Sequence, residues 1–176
     1  MRDVRLAALA DAPDAFASTL AGERGQPEAE WRARIAALPW FLGFQDGQPA
    51  GLIAALPPRP RPDQAPAQDP DQAQQHDPDQ DPEQTWHLVS MWVSPDARGA
   101  GLAELLVAAV TEHARQAGAD RVTLWVAVGN ERARRFYRRL AFTPTGRRQQ
   151  YPRPGAADLD EEELGCMLSP DPQRHP

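Results

Sequence analysis

The sequence predicts a mixed α/β domain, and three observations carry that expectation. The second half of the chain alternates β-rich and helical stretches in the order β-α-β-α-β-β. Two apolar stretches near residue 50 flank a turn, as a hairpin requires. The 176 residues fit one domain, and 41% of them are apolar, enough for a real core.

Residues 1–10 read as a short helix with Val4, Leu6 and Leu9 as its apolar points, and "DAPDAF" breaks it. "PEAEWRARIAAL" (27–38) is a second helix, with Pro27 at the start and Trp31, Ile35 and Leu38 at helical spacing. "WFLGFQDGQPAGLIAAL" (40–56) is a hairpin around "QDGQP". Residues 57–84 contain no large apolar residue, and "DPDQ" or "DPEQ" appears three times. Such a segment cannot offset its ordering entropy, so it is expected to be a disordered loop inserted in the domain. "TWHLVSMWV" (85–93) is a strand rich in β-formers, ended by Pro95. A helix follows from Gly101 to about Ala117, with the stripe Leu102, Leu105, Leu106, Ala109, Val110 and His113 and a cap at Gly118. "RVTLWVAV" (121–128) alternates as a strand. Asn130 is placed as the N-cap of a helix reaching Leu140. "FTPTGRRQQY" is extended and "EEELGCML" (161–168) is the last strand. The domain is expected to span 1–170, with 171–176 as a tail.

The formal net charge is −6, which gives no electrostatic footprint for general nucleic-acid binding. The five arginines between 132 and 139 read as the solvated face of a helix. Cys166 is the sole cysteine, so an intrachain disulfide and a cysteine-based zinc site are excluded and a cytoplasmic setting is expected. His76 and His175 stand in polar tracts without metal spacing. No apolar run approaches the ~20 residues that span a bilayer, and the first sixteen residues lack a signal-peptide core.

The chemistry concentrates at "SPDARGAGLAELL". Two glycines stand where a strand ends and a helix begins. A helix N-terminus offers unpaired N–H groups and a positive dipole end, and glycine lets an anion reach them. Arg98 adds a charge that can fold over the rim. The P-loop needs a lysine after its second glycine, but Leu102 follows and the chain has no lysine. A dinucleotide fingerprint begun at Gly99 meets Glu104 in place of its last glycine.

The stretch "RGAGLA" resembles the Q/R-x-x-G-x-G/A motif of the GNAT N-acetyltransferases, with Arg98, Gly101 and Ala103 at the defined positions. Downstream, "GNERARRFYRRLAF" is similar to the second motif of that family through Asn130, Ala133, Phe136, Tyr137 and Phe142. Ala141 stands where the family usually has glycine. The resemblance covers residues 86–142. It implies a mostly antiparallel, splayed sheet flanked by helices. The family usually begins with a strand before the first helix; this chain starts at the helix, so the expectation is either an absent edge strand or a truncated start.

By the same resemblance, the N–H groups of Arg98, Gly99, Ala100, Gly101, Leu102 and Ala103 hold the pyrophosphate of acetyl-CoA. The strand at Met91, Trp92 and Val93 splays from strand 121–128 and pairs with the pantetheine arm. Asn130 contacts that arm or caps its own helix. Tyr137 is the acid for the departing thiolate. Only His87 is titratable within "TWHLVSMWV", which makes it the candidate base, with water or Glu83 as the alternative. On a regular strand it shares a face with Val89, Met91 and Val93, and a bulge would change that parity. No metal is expected. The implied partners are a small-molecule or peptide amine acceptor and, for assembly, a second copy of the chain. An idle acyl-CoA-binding module, or an interaction module built on the proline-rich loop, is the rival reading.

Overall fold

The structure is a computed structural model that describes residues 1–58, 84–151 and 160–169. Nearly all of the expected loop 57–84 lies outside the described residues, as do Glu83, His76, His175 and the tail. Helices α1 (Arg2–Asp11), α2 (Leu20–Arg24) and α3 (Glu28–Ala37) precede strands β1 (Trp40–Gln45) and β2 (Gln48–Leu56). Then follow β3 (Thr85–Val93), α4 (Leu102–Gln116), β4 (Arg121–Ala127), α5 (Glu131–Arg139), β5 (Thr143–Gln150) and β6 (Asp160–Met167). One sheet runs in the order β1-β2-β3-β4-β6-β5. Every pairing is antiparallel except β3 with β4. The β1–β2 turn is made by Asp46 and Gly47, both at positive φ (50° and 75°). That geometry matches the twist of the flanking strands.

Two apolar layers sandwich the sheet. On one face Ile53, Leu88, Val122, Leu124 and Leu164 meet Leu106 and Val110 of α4. On the other, Leu52 and Trp92 meet Val4, Ala8 and Leu9 of α1. Consecutive strand residues point to opposite faces, so Leu52 and Ile53 enter different layers. α4 buries Leu102, Leu106, Val107, Val110 and Ala114. Leu105, expected in the stripe, is 68% exposed. At 100° per residue it falls outside the arc centred on Leu106, Val110 and Val107. Ile35 of α3 is likewise at the surface, whereas Trp31 is buried.

Glycines let α4 lie close on the hairpin. A Cβ built at Gly43 would stand 2.7 Å from Leu102 Cδ1, and one at Gly51 would stand 2.9 Å from Leu106 Cδ1 and 3.1 Å from the Trp92 carbonyl. A leucine tip can turn away, but a strand carbonyl cannot move without its ladder. Gly51→Ala is therefore expected to destabilise by about 1–3 kcal/mol, as overpacking does, measured as a lowered midpoint in urea.

α5 starts where the sequence indicates. The Asn130 side chain accepts from the Ala133 N–H at 3.1 Å, a cap that satisfies one orphan donor. Arg132, Arg135, Arg138 and Arg139 are exposed, while Arg134 pairs with Glu131 and Glu162. After the helix Ala141 sits at φ 65°. A left-handed alanine costs roughly 1–2 kcal/mol that glycine does not. Ala141→Gly is expected to raise stability by about 1 kcal/mol, read as a higher melting temperature.

Candidate functional site

The sheet opens at its centre. β3 and β4 pair only at Thr85↔Arg121, Trp86↔Val122 and His87↔Thr123. β4 continues beside β6 as far as Ala127↔Glu161, and β3 stays with β2 as far as Val93↔Gly51. Beyond His87 and Thr123 the two inner strand edges therefore diverge and face each other without a ladder bond among the described residues. Free strand edges present backbone donors and acceptors that seek a partner.

A bulge sharpens the opening. Leu52 faces Trp92, yet Ala54 faces Val89, so β3 carries one extra residue. Ser90 takes φ 59° there. The bulge reverses side-chain parity, as bulges do. Trp86 and Leu88 enter the α4 layer, as do Met91 and Val93, whereas Trp92 enters the α1 layer. His87 therefore does not share a face with Met91 and Val93, because the regular alternation breaks at Ser90. Its Nδ1 lies 2.9 Å from Thr123 Oγ1 at the vertex of the opening.

Since β3 and β4 are parallel, their carboxyl ends share one side of the sheet, a usual place for ligands in α/β sheets. Both following helices begin there. After a short 3₁₀ turn (Pro95–Ala97) come Gly99 (φ 85°) and Gly101 (φ 83°), the latter capping α4 without a side chain. A Cβ at either glycine would meet nothing within 4 Å. Among the described residues no hydrogen bond starts from the backbone N–H groups of residues 99–104, while Leu105 N–H already bonds to the Gly101 carbonyl. The loop is thus a bare cradle of donors at the positive end of a 15-residue helix, suited to an anion.

Arg98 does not fold over that cradle. Its Nε donates to the Val93 carbonyl at 3.0 Å and its Nη2 to Asp11 Oδ2, which also accepts from Trp92 Nε1 at 2.8 Å. Asp11 carries no motif, so the sequence gives no signal for it.

Asn130 stands at the same mouth as the cradle, after the end of β4, exposed and engaged as a cap. Tyr137, two turns down α5, is the one buried side chain of that helix. Its ring packs edge-on to Phe136 (5.0 Å) and Phe142 (5.6 Å). Burial pushes its phenol well above the ordinary tyrosine range. Cys166 is half-buried in β6 against the α4 layer, and burial raises its thiol. Trp86 and Phe41 both lie edge-on to His113, and Trp40 Nε1 donates to the Arg34 carbonyl. The face of β6 away from α4 carries two buried acids the sequence did not single out. Glu163 takes Arg147 and Thr145, while Glu161, raised by burial against a hydrogen bond from Gln149, lies one repeat further on. Among the described residues no group of three or more His, Cys, Asp or Glu is arranged to hold a metal, and no helix is long and apolar enough to cross a membrane.

The family model for the acetyltransferase (GNAT) family matches residues 6–142. The chain belongs to the GNAT acetyltransferase family. A curated relative, an uncharacterized N-acetyltransferase of Methanocaldococcus jannaschii, is 42% identical over 52 residues. That match spans 30% of this chain and 23% of the relative. Among solved structures, a ribosomal-protein-alanine N-acetyltransferase from Brucella melitensis is 21% identical, with a TM-score of 0.63 over 96% of both chains. An N-acetyltransferase from Staphylococcus aureus Mu50 is 18% identical, with a TM-score of 0.65 over 95% of this chain and 92% of its own. A Salmonella typhimurium protein of the same fold, solved with its cofactor acetyl-CoA, is 18% identical, with a TM-score of 0.63 over 99% of this chain and 89% of its own.

Proposed function

We propose that the chain, as one domain over residues 1–170, transfers an acetyl group from acetyl-CoA to a primary amine by direct attack in a ternary complex. The observation that carries this is the split between β3 and β4 with the unpaired N–H groups of 99–104 at its mouth. A pyrophosphate fits that cradle, because every donor there is backbone and both glycines leave the approach open. The inner edge of β3 at Met91, Trp92 and Val93 suits an extended amide arm, which completes a strand edge as a peptide does. The Salmonella protein, solved with acetyl-CoA, supports the same guest here.

In this mechanism the bulge at Ser90 aims a main-chain N–H into the split, where it stabilises the oxyanion formed when the amine attacks the thioester carbonyl. His87, at the vertex, takes the proton from the amine. Tyr137 gives its proton to the departing thiolate. Its raised phenol stays protonated through neutral pH, and a thiolate in the same dry surroundings is itself a stronger base than in water. Asn130 faces the arm at the mouth while capping α5. No covalent intermediate is needed, so Cys166 remains a packing residue. A small-molecule or peptide amine is the acceptor class, and the working compartment is the cytoplasm.

The test is release of free thiol from acetyl-CoA across a panel of amines, run beside calorimetry of acetyl-CoA binding. Turnover with at least one amine supports the reading. Binding without turnover on any amine points to an idle acyl-CoA module instead. No acetyl-CoA binding overturns both.

A further inference from the structure

Helix α1 reaches the donor side of the split at two places. Arg5, only 4% exposed, sends Nη1 to Ser90 Oγ at 3.3 Å, at the bulge itself. Asp11, the last residue of the helix, takes Trp92 Nε1 and Arg98 Nη2 on one carboxylate oxygen, and Arg98 holds the Val93 carbonyl. These contacts fasten the stretch of β3 that has lost β4 as a neighbour. β2 holds only the other edge of that stretch. Without α1, the backbone from Ser90 to Arg98 would have one anchored side and one free side.

We infer that Asp11 is a positioning residue for the acetyl donor. By fixing Arg98 and Trp92 together it keeps the inner edge of β3 and the cradle of 99–104 in one geometry, the geometry in which arm and pyrophosphate are met at once. This rests on the acetyl-CoA reading above. The Asp11 link is charge-assisted, and such bonds are stronger than neutral ones. In Asp11→Asn the amide oxygen can still accept from Arg98 and Trp92 but no longer carries the charge, so the half-exposed Arg98 side chain is held less firmly at the rim of the cradle. The cradle then samples other arrangements, and each binding event must select the competent one.

The experiment is Asp11→Asn, with acetyl-CoA affinity measured by calorimetry on the full chain. The expected result is about tenfold weaker binding, the size of one charge-assisted hydrogen bond, with a higher KM for acetyl-CoA and kcat at saturation close to wild type. A double-mutant cycle with Arg98→Gln separates positioning from plain structure: in the Arg98→Gln background, Asp11→Asn should add little further loss. Wild-type affinity in Asp11→Asn, or an equal loss in both backgrounds, overturns the inference. If Asp11→Asn does not fold, Arg98→Gln alone carries the test, since it breaks the same ion pair from the other side and must weaken binding. A wild-type protein that shows no acetyl-CoA binding strikes the function reading itself, so the two failures are distinguishable.

Discussion

Tyr137→Phe is expected to lower kcat on the order of 100-fold, the lower end of what a positioned acid contributes, while acetyl-CoA affinity and folding stay intact. The reasoning starts from packing. The ring lies among Phe136 and Phe142 in the α4 layer, and phenylalanine reproduces its shape, so the core should not notice the change. What is lost is one proton donor. In the thiol-release assay the thiolate would then leave unprotonated or wait for water, and kcat falls. If the residue serves only as a core aromatic, kcat stays at the wild-type value and the acid assignment fails by itself. Stability offers a second readout. A phenol whose folded value is raised contributes stability that is fully present below the ordinary tyrosine range. That contribution is lost as pH climbs through the folded value, because the unfolded chain can ionise and the buried ring resists it. Wild type should therefore lose stability above about pH 10 more steeply than Tyr137→Phe.

Much of this architecture is legible in the sequence, for identifiable reasons. β4 announces itself because Val122, Leu124 and Val126 alternate with Thr123 and Trp125, and only the first set is needed by the α4 layer. The cradle is legible because positive φ at two nearby positions demands glycine. The cap at Asn130 follows from residue type alone. The bulge at Ser90 is not legible: serine can enter the left-handed region at a cost, but nothing in "LVSMW" requires it. Parity past Leu88 is therefore misjudged by a regular strand, and the partners of His87 with it. α2 escapes because five residues, one of them glycine, carry no periodicity; its Thr19 cap to Gly22 is its sole local signal. The links of α1 to the donor side, Arg5 to Ser90 and Asp11 to Arg98, join residues 85 and 87 positions apart. Local patterns hold no information at that range.

Arg5 is the deepest case of that kind, and Arg5→Met is expected to destabilise by about 3 kcal/mol, the low end for breaking a buried pair, or roughly 10 °C in melting temperature at this size. A charge at the fourth position of a short N-terminal helix looks solvated in the sequence, yet Arg5 and Glu23 are 4% and 2% exposed. Arg5 Nε and Nη2 reach Glu23 Oε2 and Oε1 at 3.1 and 2.9 Å, the bidentate form, and the guanidinium lies over the Phe16 ring at 4.6 Å. Methionine fills similar space but leaves the Glu23 carboxylate in a dry site. Arg34, at 2.9 Å from Glu23 Oε2 and partly open to water, softens the loss, which is why the low end applies. Burial alone would raise Glu23, but hydrogen bonds from Arg5 and Ser18 and the charges of Arg5 and Arg34 bring it below the ordinary glutamate value. A depressed carboxylate contributes stability that is present above its unfolded value and lost as pH falls through its folded value. Wild type should therefore weaken on acidification through the range below pH ~4, and Arg5→Met, already deprived of the pair, should weaken less there. Adding Glu23→Gln to Arg5→Met should recover part of the loss at neutral pH, because the amide removes the stranded charge. A double variant no more stable than Arg5→Met would mean that the cost lies in lost packing against Phe16 and not in the unpaired carboxylate.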